Sequence, residues 1–311
     1  MFKVASLAPD GSIWAKRFQA FVREVGEKTN GEVGFKIYAG GVMGDDQDMY
    51  RKMKIGQLHG GGFTMTGIGE IVPDFRVIGL PFLFRSYNEA DCVIQGIWPR
   101  FEKAFAEKNL VLLATSEVGF IYTMSTEPVL TLTDLKKTKS WTPEGDPISI
   151  VFFESIGITP IPLSIPDVLT ALQTGLIDTV YNSFYGSIVL QWFTRTKYIT
   201  DVPFAYAYGA FVLDKKMFSR LPPDYAAILE TSAKKHFARL LEDTRNSNAE
   251  ALQVLKNNGI KLLEITPATY DELLISQKEA VAKLVGDAFS KEIYEETVQI
   301  LTDFRAKKKD Q

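Results

Sequence analysis

The stretch DYAAILETSAKKHFARLLEDTRNSNAEALQVLKN, residues 224–257, contains neither glycine nor proline. Tyr225, Ile228, Leu229, Ala233, Phe237, Leu240 and Leu241 keep a helical period, and Ala249, Leu252 and Leu255 carry it onward. Unbroken, it makes a helix of about 50 Å at 1.5 Å per residue. That exceeds the width of one lobe, so the helix is expected to brace two. A break near Asn246-Ser247-Asn248 would instead give two shorter helices. His236, inside the stretch, reads as a helix-face residue and not as a catalytic base.

The rest of the chain supplies the lobes. Its 311 residues exceed what one core usually holds. Residues 2–6 read as a strand, and Ser12 as the N-cap of a helix carrying Trp14, Phe18, Phe21, Val22 and Val25, ended by Asn30-Gly31. A strand at 33–38, an acid-started helix at 45–58, a Gly-rich strand at 60–65 and a strand at 77–80 follow. Ala90, Val93, Ile94, Ile97, Phe101 and Phe105 mark a third helix, and 110–115 the next strand. After about residue 120 the pattern restarts, with strands at 139–142, 159–163 and 176–181 and helices at 146–156 and 164–174. A second polar-faced helix fills much of 268–305. This alternation predicts an α/β fold of two lobes: residues 1–122 with about 206–245, and 123–205 with about 246–311.

Composition narrows the function. The chain is 46% hydrophobic and 23% charged, ordinary for a folded protein, and its formal net charge is −3. No basic footprint for nucleic acid exists, and the cluster Lys307-Lys308-Lys309 reads as a solvated end. The single cysteine, Cys92, excludes an internal disulfide and reads as a small buried helix residue. No run of about 18 apolar residues is present. Met1 leads straight into a strand, so the chain is either cytosolic or a mature form without its targeting segment.

Catalytic constellations are missing. His59 precedes Gly60-Gly61-Gly62, a string that builds an oxyanion hole in some esterases, but no Gly-x-Ser-x-Gly elbow accompanies it. The glycines read more simply as letting a strand end approach another backbone or a ligand closely. Asp45-Asp46-Gln47-Asp48 lacks calcium-loop spacing and reads as a helix N-terminus. No metal site is expected, and no cofactor. Two lobes without catalytic machinery favour binding in the cleft between them.

Seven short strings, in order between Tyr38 and Thr200, carry a resemblance: Tyr38-Ala39-Gly40-Gly41-Val42-Met43-Gly44, Ile55-Gly56-Gln57-Leu58, Val72-Pro73-Asp74-Phe75, Gly79-Leu80-Pro81-Phe82-Leu83-Phe84, Asp134-Leu135-Lys136, Ala171-Leu172-Gln173-Thr174-Gly175-Leu176-Ile177-Asp178 and Lys197-Tyr198-Ile199-Thr200. The chain resembles the solute-binding proteins of TRAP transporters, the DctP family. The resemblance implies a periplasmic-binding-protein-like fold, a ligand cleft between two domains, and delivery to membrane permease subunits. It also implies a place outside the cytoplasm, periplasmic or membrane-anchored on the periplasmic side, and no enzymatic activity.

The departures point to the ligand. Where the family carries a carboxylate-clamping arginine, counting from Asp134-Leu135-Lys136 places Trp141. An indole offers one N–H and an apolar face, so it cannot replace a bidentate cation. A one-residue slip would give Lys139 the cationic role and an organic acid as ligand. Asn182 corresponds to a family asparagine, with Tyr181, Phe184 and Tyr185 around it, and Ile165 takes an aromatic wall position. Ser6 and Thr64, with Met65 beside them, fall at polar contacts of the first lobe. The departures are similar to those of the TatP-type subgroup, which works with a tetratricopeptide-repeat partner. They imply a hydrophobic or amphipathic ligand. Burying roughly 200–300 Å² of apolar ligand surface at ~25 cal/mol/Å² yields about 5–7 kcal/mol before binding costs.

Overall fold

The computed structural model describes residues 1–309, with side chains described to Lys307. Lys307 is exposed; the other two lysines expected in the solvated tail have side chains outside that range. The strands are β1 (Phe2–Ser6), β2 (Phe35–Tyr38), β3 (Gly60–Thr64), β4 (Leu110–Ser125), β5 (Trp141–Pro143), β6 (Ile161–Leu163), β7 (Thr179–Asn182), β8 (Tyr198–Asp214) and β9 (Lys261–Leu263). The helices are α1 (Ile13–Lys28), α2 (Asp46–Lys54), α3 (Met65–Ile71), α4 (Tyr87–Glu107), α5 (Leu132–Leu135), α6 (Pro147–Ser155), α7 (Val168–Thr174), α8 (Phe184–Val189), α9 (Lys215–Phe218), α10 (Pro223–Asn257), α11 (Pro267–Leu284) and α12 (Lys291–Lys309).

One sheet runs β2-β1-β3-β8-β4-β7, with β9 on the far end of β8. β1 is parallel to β2 and β3, whereas β8 is antiparallel to β3 and β4. A two-stranded parallel ribbon, β5-β6, joins β7 through a bridge between Ser140 and Thr179. β4 and β8 pair along their whole lengths, from Leu110 opposite Asp214 to Ser125 opposite Tyr198. One end of this ladder lies beside β3 and the other beside β7. Each long strand therefore passes from one lobe to the other without a break.

The glycines of β3 have a steric reason. A Cβ on Gly60 would sit 2.5 Å from the Val212 carbonyl oxygen, and one on Gly61 3.1 Å from that of Ala5. Gly209, opposite on β8, would meet the Phe63 oxygen at 2.6 Å. Side chains there would force the central strands apart. Alternation along β8 then fills both faces. Ala210 and Val212 join Phe75, Ile97 and Phe101 under α2–α4, while Phe211 and Leu213 join Phe21, Val25 and Phe237 under α1 and α10. A third core, with Phe152, Phe153, Val180 and Phe204, fills the second lobe.

α10 is one continuous helix, about 52 Å long at 1.5 Å per residue. Leu229, Ala233, Phe237 and Leu240 pack in the first lobe, whereas Ala251 and Leu255 pack in the second. Between them the buried face turns polar and grips a bulge of β4 where the register shifts at Glu117 and Gly119. Asn248 donates to the Val118 oxygen and accepts from the Tyr185 N–H. Arg245 pairs with Asp91 and with Glu117, whose side chain is 1% exposed and also accepts from Tyr206. The polar triplet that suggested a break is thus where the brace is fastened.

Several expectations need correction. Residues 77–79 belong to a 3-10 helix, Pro73–Gly79, with Leu80 as its C-cap, because a short buried apolar run has no period of its own. The helix expected over 45–58 stops at Lys54, followed by Gly56 in a left-handed turn. The one over 268–305 is two, α11 and α12, separated at Gly286 with φ +86°. Residues 198–214 are a strand that the periodicity did not mark. Cys92 is half-buried. His236 is buried and its Nε2 meets Glu24 of α1 at 2.8 Å. α12, expected with the second lobe, packs on α4 of the first: Ile293 and Leu301 join that core, and Arg305 pairs with Glu89.

Burial pushes the Glu117 carboxyl up against the pull of Arg245. Arg245→Met should therefore lose about 3–5 kcal/mol in urea denaturation, the typical result of leaving a buried charge unpaired. Adding Glu117→Gln to that variant should restore part of the loss.

Candidate functional site

A cavity of about 230 Å³ opens where the crossing strands, α1 and both lobes meet. Ser6 and Thr64 are the last residues of the neighbouring strands β1 and β3, and Asn182 is the last of β7. Carboxyl ends of strands in α/β sheets are where ligands settle. Of the residues expected to contact ligand, Ser6, Thr64, Met65, Trp141, Ile165, Tyr181 and Asn182 line the cavity.

Phe184 and Tyr185 are not in its wall. Phe184 stacks on Tyr122, ring centroids 4.1 Å apart, and is buried. The Tyr185 hydroxyl accepts from the Ile13 N–H at the start of α1, and its ring lies edge-on to Trp14. Ser183 caps α8, so both aromatics follow a helix instead of continuing the strand alternation. The wall also contains residues the sequence reading assigned elsewhere or not at all: Trp14 and Phe18 of α1, Val118 of the bulge, and Trp192. Trp14 and Phe18 had the spacing of core residues. Trp192 follows Gln191, whose φ of +60° turns the chain, and no local pattern announces that turn.

The polar groups of the wall are largely engaged. Trp141, 4% exposed, donates its Nε1–H to the Leu163 oxygen at 3.0 Å and lies edge-on to Trp192. It therefore offers the cavity an apolar face only. The Tyr181 hydroxyl is paired with Ser140 at 2.9 Å, within the lobe. Thr64 gives its hydroxyl proton and its N–H to the Asp46 carboxylate. Ser6 Oγ accepts from the Ala8 N–H. Asn182 Oδ1 accepts from the Ser183 N–H at 2.8 Å, which fixes the amide orientation and leaves Nδ2 without a protein partner among the described residues.

No lysine, arginine or histidine lines the cavity among the described residues; its one charged wall residue is Asp10, which is exposed. Lys139 is exposed too, and its Nζ is bonded to the Gly175 oxygen at 3.0 Å, so it does not supply the missing cation. His59 is at the opposite end of β3 from Thr64, its Nδ1 accepting from the Lys3 N–H. No group of three or more potential metal ligands occurs among the described residues. Asp46 is the unusual acid nearby. Burial, with Asp45 and Glu70 adding repulsion, pushes its carboxyl up to about 6 even though the Thr64 hydrogen bonds oppose the shift.

Cleft, crossing strands and bracing helix together define a two-lobed binding protein. The model of the DctP family, bacterial extracellular solute-binding protein family 7, matches residues 4–291, and the chain belongs to that family. Relatives include a solute-binding protein of Chromohalobacter salexigens, 33% identical over 171 residues. That alignment covers 54% of this chain and about half, 51%, of the relative. The 2,3-diketo-L-gulonate-binding periplasmic protein YiaO of Escherichia coli is 26% identical over 90% of this chain and 83% of its own length. Among solved structures, the sugar acid binding protein of Advenella mimigardefordensis in complex with galactonate superposes with a TM-score of 0.91 at 22% identity, covering 97% of each chain. No described helix is long and apolar enough to cross a membrane.

Because the folded Asp46 pKa lies above the ordinary 3.8, its contribution to stability is complete below that value and is lost as pH rises through about 6. Asp46→Asn removes this dependence. The stability difference between variant and wild type should shift by about 2 kcal/mol in the variant's favour between pH 4 and pH 7. Urea denaturation of both proteins at each pH measures it; a difference flat in pH would show that Asp46 does not titrate there.

Proposed function

We propose that the protein is the extracytoplasmic receptor of a TRAP-type transporter, and that it captures a neutral hydrophobic or amphipathic solute and delivers it to membrane permease subunits. The observation that carries the ligand class is the cavity wall. Two of the proteins named above are described as binding 2,3-diketo-L-gulonate and galactonate, and a carboxylate in a closed cleft needs a cation or several donors to replace water. Here the position counted as the clamp holds Trp141 with its N–H already bonded, and the alternative candidate cation, Lys139, is exposed and bonded to the Gly175 oxygen. Apolar burial against Trp141, Trp192 and Tyr181, oriented by Asn182 Nδ2, is the interaction this wall offers.

The same replacement supports placement with the TatP-type subgroup and its tetratricopeptide-repeat partner. We take the first lobe as residues 1–122 and about 206–245 together with α12, and the second as 123–205 with the rest of α10, β9 and α11. The protein acts by binding and release, on the periplasmic side, free or membrane-anchored; a broad ester screen is expected to show no turnover at His59.

Native mass spectrometry of the purified protein, followed by solvent extraction, should release an uncharged apolar compound that millimolar galactonate does not displace. Asn182→Ala should weaken its retention about fivefold, one hydrogen bond's worth. Tight binding of a sugar acid or dicarboxylate, unchanged by Trp141→Ala, would overturn the reading.

A further inference from the structure

Among the described residues four non-glycines have positive φ: Asn30, Asn109, Gln191 and Phe82. The first three are polar. Phe82 is not, and it belongs to the string Gly79-Leu80-Pro81-Phe82-Leu83-Phe84. Its φ is +55°, and the Leu83 N–H after it is bonded to the Leu80 oxygen at 3.3 Å. Proline holds φ at about −65°, so residues 80–83 form a type II turn, and Phe82 occupies the position where glycine is favoured. A bulky side chain there is strained and persists only where its surroundings over-determine it.

Those surroundings lie in both lobes. Leu80, Leu83 and Phe84 are buried in the first-lobe core, and Arg305 of α12 donates to the Leu83 oxygen at 2.9 Å. The Phe82 ring packs instead against the second-lobe core. It lies edge-on to Phe152 of α6, Phe204 of β8 and Tyr270 of α11, with centroids 6.0, 5.6 and 5.9 Å away. The Phe82 N–H is bonded to the Phe204 oxygen at 2.8 Å.

Phe204 stands at an interruption of the crossing ladder. Ala205 pairs with Ile121 and Thr200 with Thr123, so residues 201–204 face Tyr122 alone. The pairing of β8 with β9 stops at Thr200, and Pro203 has no N–H to give. Strands bend at such bulges. The other bulge, at Glu117 and Gly119, is fastened to α10, whereas this one is held by the turn of residues 80–83. The lips of the cleft are together in the same arrangement. A Cβ on Gly41 of the first lobe would be 3.3 Å from Pro166 Cγ, and one on Gly145 of the second 2.7 Å from Gln47 Nε2.

We propose that residues 201–204 are a bending point between the lobes and that Phe82 is the latch across it. Seated among Phe152, Phe204 and Tyr270, its ring favours the arrangement with the lips together, and it withdraws when the lobes part. Glycine would suit the turn without steric cost; phenylalanine ties the turn to the other lobe. Opening relieves the left-handed strain, so the latch is weaker than its contacts alone would make it, and the lobes remain able to separate.

Double electron–electron resonance on the full-length protein tests this, with nitroxides at Lys54→Cys of α2 and Gln173→Cys of α7, both exposed, in a Cys92→Ala background. The measurement reads the lobes with no solute added, so it does not depend on the ligand class proposed above. Phe82→Gly keeps the turn and removes the ring; it should add a longer-distance component that is minor or absent in the parent. Tyr270→Ala, which removes a half-buried part of the seat, should shift the distribution the same way by less. Phe82→Tyr keeps the ring, and the cavity of about 40 Å³ that it lines has room for the hydroxyl, so the parental distribution should return. Leu83→Ala cuts into the first-lobe core and should lower the urea midpoint without adding the longer component. A parental distribution in both Phe82→Gly and Tyr270→Ala, or the same broadening from Leu83→Ala, would overturn the latch.

Discussion

Glu117 sits in a bulge at the middle of β4 with almost no exposed surface, and Arg245 reaches it from the interior of a helix 35 residues long. A carboxylate so placed is tolerated only while a cation and hydrogen-bond donors stay in contact with it. The Tyr206 hydroxyl and Arg245 meet that need, and Asn248, one turn further along the helix, holds the neighbouring Val118 carbonyl. This pairing fixes where α10 crosses the long strands. Everything that depends on the crossing follows: which part of the helix lies on each lobe, where the crossing strands bend, and the line along which the cavity opens. The Glu117 backbone oxygen also accepts the Trp14 indole N–H, so the same residue that anchors the brace positions part of the cavity wall.

The binding region is formed by subtraction. Three of the polar side chains in the wall have their hydrogen-bonding groups directed into the protein: Trp141 to Leu163, Tyr181 to Ser140, Thr64 to Asp46. What remains is aromatic surface and a few oriented groups. Selectivity in such a site comes from leaving unsuitable partners unsatisfied more than from attracting the right one. Among the described residues, no lysine, arginine or histidine lines the cavity to offer a counter-charge.

The features legible in the sequence were those governed by local rules. The uninterrupted helix followed from the absence of glycine and proline, the Ser12 cap from its position before an apolar period, and the close packing of β3 from its glycines. Position counting placed Trp141, Asn182, Thr64 and Ser6 because each lies at a strand end. β8 escaped notice because its Phe204–Leu213 portion is buried on both faces and so reads as a continuous apolar run instead of an alternation. Phe184 and Tyr185 were misplaced because a Ser183 cap converts strand to helix within one residue. Asp46 looked like an ordinary helix-start acid; only the fold brings Thr64 onto it across 18 residues of chain.

Three of the chain's four tryptophans, Trp14, Trp141 and Trp192, line the cavity, and the fourth, Trp98, is packed against the first-lobe core. One of the three comes from the first lobe and two from the second, and two have their N–H groups held by backbone carbonyls. Their emission is therefore governed by what fills the cavity and by how close the lobes stand. Trp14 is the half-buried one of the three, and a solute that expels water from its indole face shifts its light to the blue. The arrangement gives the molecule a built-in optical gauge of occupancy, sensitive to solutes that carry no chromophore of their own.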